Sequence, residues 1–177
     1  MAQGRILIVD DEDSIREYLS MMLEREGYEV VASADGKKAL KLQTQDPFDL
    51  VITDIQLPGM SGIDVLGALR DQDPALPVII VTGHASQESA IQALNLGALY
   101  YLLKPVSNDE LKQVVRNAFE MRRLKEENVE LERALHVSGE RAIVGSSDGM
   151  TAVFDIVDRV ARTSSTVLLN GESGTGK

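Results

Sequence analysis

The sequence contains no cysteine. That excludes a disulfide framework or a thiolate metal site and fits a reducing compartment. No apolar run approaches the roughly 20 residues a membrane-spanning helix needs. The N-terminus lacks the basic, then apolar, then small-residue pattern of a secretory signal; its "RILIVD" run is too short and ends in acid. Basic residues are scarce, 18 Lys and Arg against 28 Asp and Glu, for a net charge of −10. An acidic surface argues against direct binding of nucleic acid, which needs a basic face. Apolar residues, at 44% of 177, are plentiful enough for a packed core. The expectation is a soluble, cytoplasmic chain with no membrane partner.

Short apolar runs alternate with helical patterns. Residues 5–9, "RILIV", read as a strand buried on both faces, as a central parallel strand must be. Residues 14–27 place Ile15, Tyr18, Leu19, Met22 and Leu23 on one helical face, with Gly27 as the stop. Strands follow at 28–33, 48–54, 77–82 and 98–104, and helices at 36–45, 63–70 and 86–97; a last helix starts near Asn108. Five βα repeats in about 120 residues mean a parallel sheet covered by helices on both faces. In such sheets the working site lies at the C-terminal strand ends, where the strand order switches.

Those ends carry a distinctive set. Strand 1 runs into Asp10 and Asp11, strand 3 ends in Asp54, strand 4 in Thr82, and strand 5 in Lys104 followed by Pro105. Each alone is bland, since an Asp after a strand is usually a turn residue or helix cap. Together they make a pocket. Clustered carboxylates repel unless a cation neutralises them. Oxygen ligands without His or Cys suit a hard ion, most plausibly Mg²⁺, which favours phosphate oxygens as further ligands. Lysine and threonine supply a charge and a donor for those oxygens. An aspartate beside such an ion can be the nucleophile, giving an acyl phosphate. Phosphoryl transfer onto an aspartate is the chemistry these residues suggest. Glu12 and Asp13 read more plainly as the acidic start of helix 1, with Asp13 or Ser14 as its cap.

The motifs "ILIVDDE", "LVITDIQLPGMSG", "VIIVTG" and "YYLLKP" make residues 1–122 resemble the receiver domain of two-component response regulators. The resemblance implies a flavodoxin-like α/β fold, (βα)5, with a parallel sheet in the order 2-1-3-4-5. It implies Asp54 as phosphoacceptor, with Asp10, Asp11, Asp54 and the Gln56 carbonyl around Mg²⁺. Lys104 would contact the phosphoryl group and Thr82 would move to hydrogen-bond it. Tyr101 matches an aromatic switch coupled to Thr82, and Lys104-Pro105 a cis peptide. The implied donor is a sensor histidine kinase, and the chain is expected to be a phosphoacceptor rather than an enzyme.

From Asn108 the helical pattern continues far beyond an ordinary helix. Leu111, Val114, Ala118 and Met121 keep 3-4-3 spacing, and Leu124, Asn128, Leu131 and Leu135 resume it after a phase slip. The expectation is a linker at 123–138 that pairs two chains as a parallel coiled coil, with the receiver face joining the homodimer. A helix is expected from about Asp148 to Arg162. Then comes "TVLLNGESGTGK", in which Gly171, Gly174, Gly176 and Lys177 fit the G-x-x-x-x-G-K phosphate loop. Residues 139–177 resemble the opening of the AAA+ ATPase domain in sigma-54-dependent activators of the nitrogen-regulator kind. That resemblance implies a fragment of a longer regulator, whose ATP, sigma-54 RNA polymerase and DNA contacts lie in domains this sequence lacks.

Three competing readings are weaker. Asp11-Glu12-Asp13 is a D-x-D, as in aspartate-nucleophile phosphatases of the haloacid dehalogenase kind, but its register is off by one residue and it leaves Asp54, Thr82 and Lys104 coincidental. A purely dimerising interaction module leaves the acid, Thr and Lys set unused. A nucleotide-binding fragment lacks everything expected after Lys177.

Overall fold

The computed structural model describes residues 3–84 and 86–137, together with Val153, Ile156 and Leu168. The expected helix at 148–162, apart from Val153 and Ile156, and Gly171, Gly174, Gly176 and Lys177 therefore lie outside the described residues. By internal contacts the chain divides into Met1–Asn128 and Val129–Lys177.

Five strands alternate with five helices: β1 (Arg5–Val9), α1 (Asp13–Arg25), β2 (Glu29–Ser33), α2 (Gly36–Gln45), β3 (Leu50–Thr53), α3 (Gly62–Gln72), β4 (Val78–Thr82), α4 (Gln87–Asn95), β5 (Tyr100–Leu103) and α5 (Asn108–Val137). All strand pairs are parallel, in the order β2-β1-β3-β4-β5. Because side chains alternate across a strand, the sheet feeds two cores. Ile6, Ile8, Ile52, Ile79 and Val81 pack under α1 and α5, with Leu23, Leu111, Val115 and Ala118. Leu7, Val9, Val51, Val78 and Ile80 pack under α2, α3 and α4, with Ala39, Leu66, Leu69 and Ala93. The switch in strand order falls between β1 and β3, so their C-terminal ends open onto one crevice.

Helix ends follow the local sequence. Gly27 adopts φ +93°, its N–H donates to Glu24 O, and Tyr28 N–H returns to Leu23 O, so it stops α1 as expected. Ser61 and Ser86 head α3 and α4 with reciprocal capping bonds.

Two local expectations need correction. Neither Asp13 nor Ser14 caps α1: Glu12 occupies the cap position without a side-chain cap bond, and Asp13 pairs with Arg16 instead. Tyr18 leaves the apolar face; it is exposed, and its hydroxyl bonds Asn108 at the start of α5. The early part of the α5 stripe, Leu111, Val114 and Ala118, is buried in this domain's own core, whereas Met121 and Leu124 are exposed. Arg122 makes a further contact with the sheet end, donating to Phe48 O and Asp49 O at 3.1 and 3.2 Å. Among the described residues, no helix is long and apolar enough to cross a membrane.

Candidate functional site

Asp10 follows β1 and Asp54 follows β3. The Asp54 N–H donates to Val9 O at 2.8 Å and the Asp10 N–H to Ser33 O at 3.1 Å, so the ladder itself holds both at the crevice. Both carboxylates are nearly sealed from solvent, Asp10 at 2% exposure and Asp54 at 6%. Asp11 is exposed beside them. One carboxylate oxygen from each of Asp10, Asp11 and Asp54 lies within 4.8 Å of the others. Lys104, brought over by β5, places Nζ 2.7 Å from Asp10 Oδ2 and 2.7 Å from Asp54 Oδ2. Each acid also accepts a backbone N–H through Oδ1: Glu12 to Asp10 at 3.0 Å and Gln56 to Asp54 at 3.1 Å. The Lys104-Pro105 peptide is cis.

The electrostatics are unbalanced. Burial raises the Asp10 pKa above its ordinary value, and the Asp54 charge adds to it; the bonds from Lys104 and the Glu12 amide pull only part of the way back. Burial pulls Lys104 down, but its bonds to Asp10 and Asp54 outweigh that, so its pKa is raised. One lysine among several acids leaves surplus negative charge. The donor set is oxygen only, with one carboxylate open to water. It fits a hard cation that keeps several waters, as Mg²⁺ does.

Thr82 ends β4 fully buried, and its Oγ1 accepts the His84 N–H at 3.3 Å. Tyr101 lies on β5 opposite Ile80, half-buried against the α4 core, with its hydroxyl 3.0 Å from Ser89 Oγ. The fold thus brings Asp10, Asp11, Asp54 and Lys104 together at one edge, with Thr82 and Tyr101 on the adjoining strands. Gln56 is present through its amide contact to Asp54.

Four residues near this site were not assigned to it from sequence. Glu12 reaches Lys104 Nζ at 3.5 Å, so it belongs to the pocket rim as well as to the helix start. Arg16 donates to Asp10 O at 2.6 Å. Gly62 presses the start of α3 against the Asp54 backbone. Ser89 bonds Tyr101. The spacing of Glu12 and Arg16, four apart at a helix start, and the Ser-x-x-Ser of 86–89 were the available signals.

Comparison with known proteins bears on the family and the fold. Residues 6–116 match the response regulator receiver domain, and residues 143–177 match the sigma-54 interaction domain. The chain is 38% identical to the regulatory protein AtoC of Escherichia coli over 177 residues, covering 99% of this chain and 38% of that one. It is 35% identical to the DNA-binding transcriptional regulator NtrC of Proteus hauseri, covering 100% of this chain and 37% of that one. The chain thus spans less than two fifths of the length of these curated relatives. A receiver domain protein from Clostridium thermocellum superimposes with a TM-score of 0.66 at 36% identity, covering 70% of this chain and 98% of that one. NtrX from Brucella abortus, solved with ADP, gives a TM-score of 0.69 at 34% identity, covering 92% of this chain and 35% of that one. The sheet order and these matches place the chain in the response regulator receiver domain family, continuing into a match to the sigma-54 interaction domain.

Proposed function

We propose that this chain is the phosphoacceptor part of a sigma-54-type response regulator, with Asp54 taking a phosphoryl group from the phosphohistidine of a sensor histidine kinase. The observation that carries the reading is the buried Asp10 and Asp54 pair bridged by Lys104 at 2.7 Å to each. In the transfer, a carboxylate oxygen of Asp54 forms a bond to phosphorus and the P–N bond of the donor breaks, its imidazole nitrogen keeping the electron pair. Asp10, Asp11, Asp54 and the Gln56 carbonyl would hold Mg²⁺. When bound, that ion neutralises the carboxylates and draws charge from the phosphoryl oxygens. Lys104 is positioned to follow the charge from the free carboxylate to the phosphoryl group. The Thr82 hydroxyl then gains an acceptor, and its movement frees space toward Tyr101.

The same reading divides the chain into a receiver at 1–122, a helical linker at 123–138 and the opening of an AAA+ domain at 139–177. The face of α4, β5 and α5 and the linker would join two copies, so phosphorylation would change how the chains pair. ATP turnover and contacts with sigma-54 RNA polymerase and DNA would belong to stretches of the relatives that this chain does not span. It would work in the cytoplasm, as acceptor rather than enzyme.

The test is intact mass after incubation with a small acyl phosphate and Mg²⁺. One phosphoryl adduct is expected, absent in Asp54→Asn and without Mg²⁺. No adduct under any condition would overturn the reading in favour of an unphosphorylated interaction module.

A further inference from the structure

Helix α4 is unusually lightly held. Its only buried residue is Ala93, while Ile91 and Leu94 are about half exposed. Burial of apolar surface is what usually fixes a helix on a sheet, so polar contacts must locate this one. At its C-terminal end, Arg70 donates from Nη1 to Pro74 O at 2.7 Å and from Nη2 to Gly97 O. The two carbonyl bonds tie this guanidinium to that turn, although its Nε is buried without a partner.

At the N-terminal end the holding group is Ser89. Its Oγ accepts the Ser86 N–H at 3.1 Å and lies 3.0 Å from Ser86 O and 3.0 Å from Tyr101 Oη. A serine hydroxyl has one proton and two lone pairs. A carbonyl accepts only, so the bond to Ser86 O uses the proton of Ser89. One lone pair takes the Ser86 N–H, and the other faces two hydroxyls, those of Ser86 and Tyr101, each 3.0 Å away. Where this pair forms Tyr101 is the donor, and it sits on β5 opposite Ile80, two residues before Thr82 on β4.

We propose that Ser89 is a positioning residue that latches Tyr101 to the first turn of α4, while Arg70 keeps the far end of the helix pinned. This rests on the reading of Tyr101 as a switch residue and names what holds that switch at rest. The latch opens without unwinding the helix, because the Ser86 and Ser89 capping bonds do not involve Tyr101. One neutral hydrogen bond sets the balance of two such states by about two- to tenfold.

The test uses the full chain labelled with fluorotyrosine, the Tyr101 resonance being the one lost in Tyr101→Phe. Spectra are taken with and without beryllofluoride, a phosphoryl analogue, and Mg²⁺. In Ser89→Ala the resting Tyr101 resonance is expected to move part-way toward its beryllofluoride position, and in Ser89→Thr to return to the wild-type one. Ser86→Ala weakens the cap and removes the rival hydroxyl at Ser89 Oγ, leaving the Ser89 and Tyr101 pair, so its resting resonance is expected not to move toward the beryllofluoride position. A resting resonance unchanged in Ser89→Ala, with a normal beryllofluoride shift, overturns the latch alone. Equal shifts in Ser86→Ala and Ser89→Ala overturn it in favour of helix capping. A wild-type resonance that ignores beryllofluoride overturns the switch reading itself.

Discussion

Helix α3 starts so close to Asp54 that Gly62 has no room for a side chain. A Cβ there would be driven into the Asp54 carbonyl oxygen, and would lie 2.7 Å from its carbonyl carbon and 3.0 Å from Ile55 Cα. All three are backbone atoms and cannot step aside. Gly62→Ala is therefore expected to destabilise the domain by about 2 kcal/mol in urea unfolding and to slow adduct formation on Asp54. Asp10 makes the opposite kind of prediction. Its pKa is raised in the fold above its ordinary 3.8, chiefly by burial, so its ionisation opposes folding. Stability from this residue is greatest when it is protonated and falls as pH rises from 3.8 through its folded value. Asp10→Asn is expected to raise the unfolding free energy at neutral pH by on the order of 1 kcal/mol in the absence of metal, and to weaken Mg²⁺ binding. That stability gain should shrink as the pH is lowered. Lys104 behaves in the reverse sense: its raised pKa means its pairs stabilise fully below 10.5 and are lost only as pH climbs through its folded value.

At the scale of the element, α5 has two parts. Leu111, Val114, Val115 and Ala118 are core residues, and Phe119 stacks on Tyr28 with ring centroids 4.9 Å apart. Arg122 follows, tied to two carbonyls at the start of β3 and to Glu126 one turn on. From Arg123 to Leu131 the helix is exposed. Arg122→Ala leaves the two carbonyls to water and is expected to cost about 1 kcal/mol. Amide exchange should quicken in the turn containing Phe119 and Arg122 while the amides near Leu111 keep their protection. Loss of protection along the whole helix would show that Arg122 has no local role.

For the whole molecule, the proposed pairing of two chains turns on the exposed part of α5. Leu124, 52% exposed on the stretch after Arg122, is the sort of residue a second helix would cover. Sedimentation of the full chain is expected to show self-association that changes with beryllofluoride. Leu124→Lys should remove it, without altering the phosphoryl adduct on Asp54. An assembly state indifferent to both the analogue and the substitution would rule out the linker as the pairing element.

The order of strands and helices was legible because short doubly apolar runs such as "RILIV" and "PVIIVT", alternating with amphipathic stretches, fit central parallel strands, and Gly27 falls where the first helical pattern ends. The acids at the strand ends were legible for the same reason, since parallel topology sends every C-terminal end to one edge. Tertiary structure alone decided the pairs across long separations: Lys104 between Asp10 and Asp54, Glu12 turned to Lys104 rather than to its own helix, and Ser89 under Tyr101. These depend on which strand lies beside which, and on how a flexible side chain divides its few hydrogen bonds among neighbours that local sequence does not name. Tyr18 shows the limit most plainly. Helical period put it on the buried face, but α5 crosses close enough for its hydroxyl to take Asn108, and the ring stays in water.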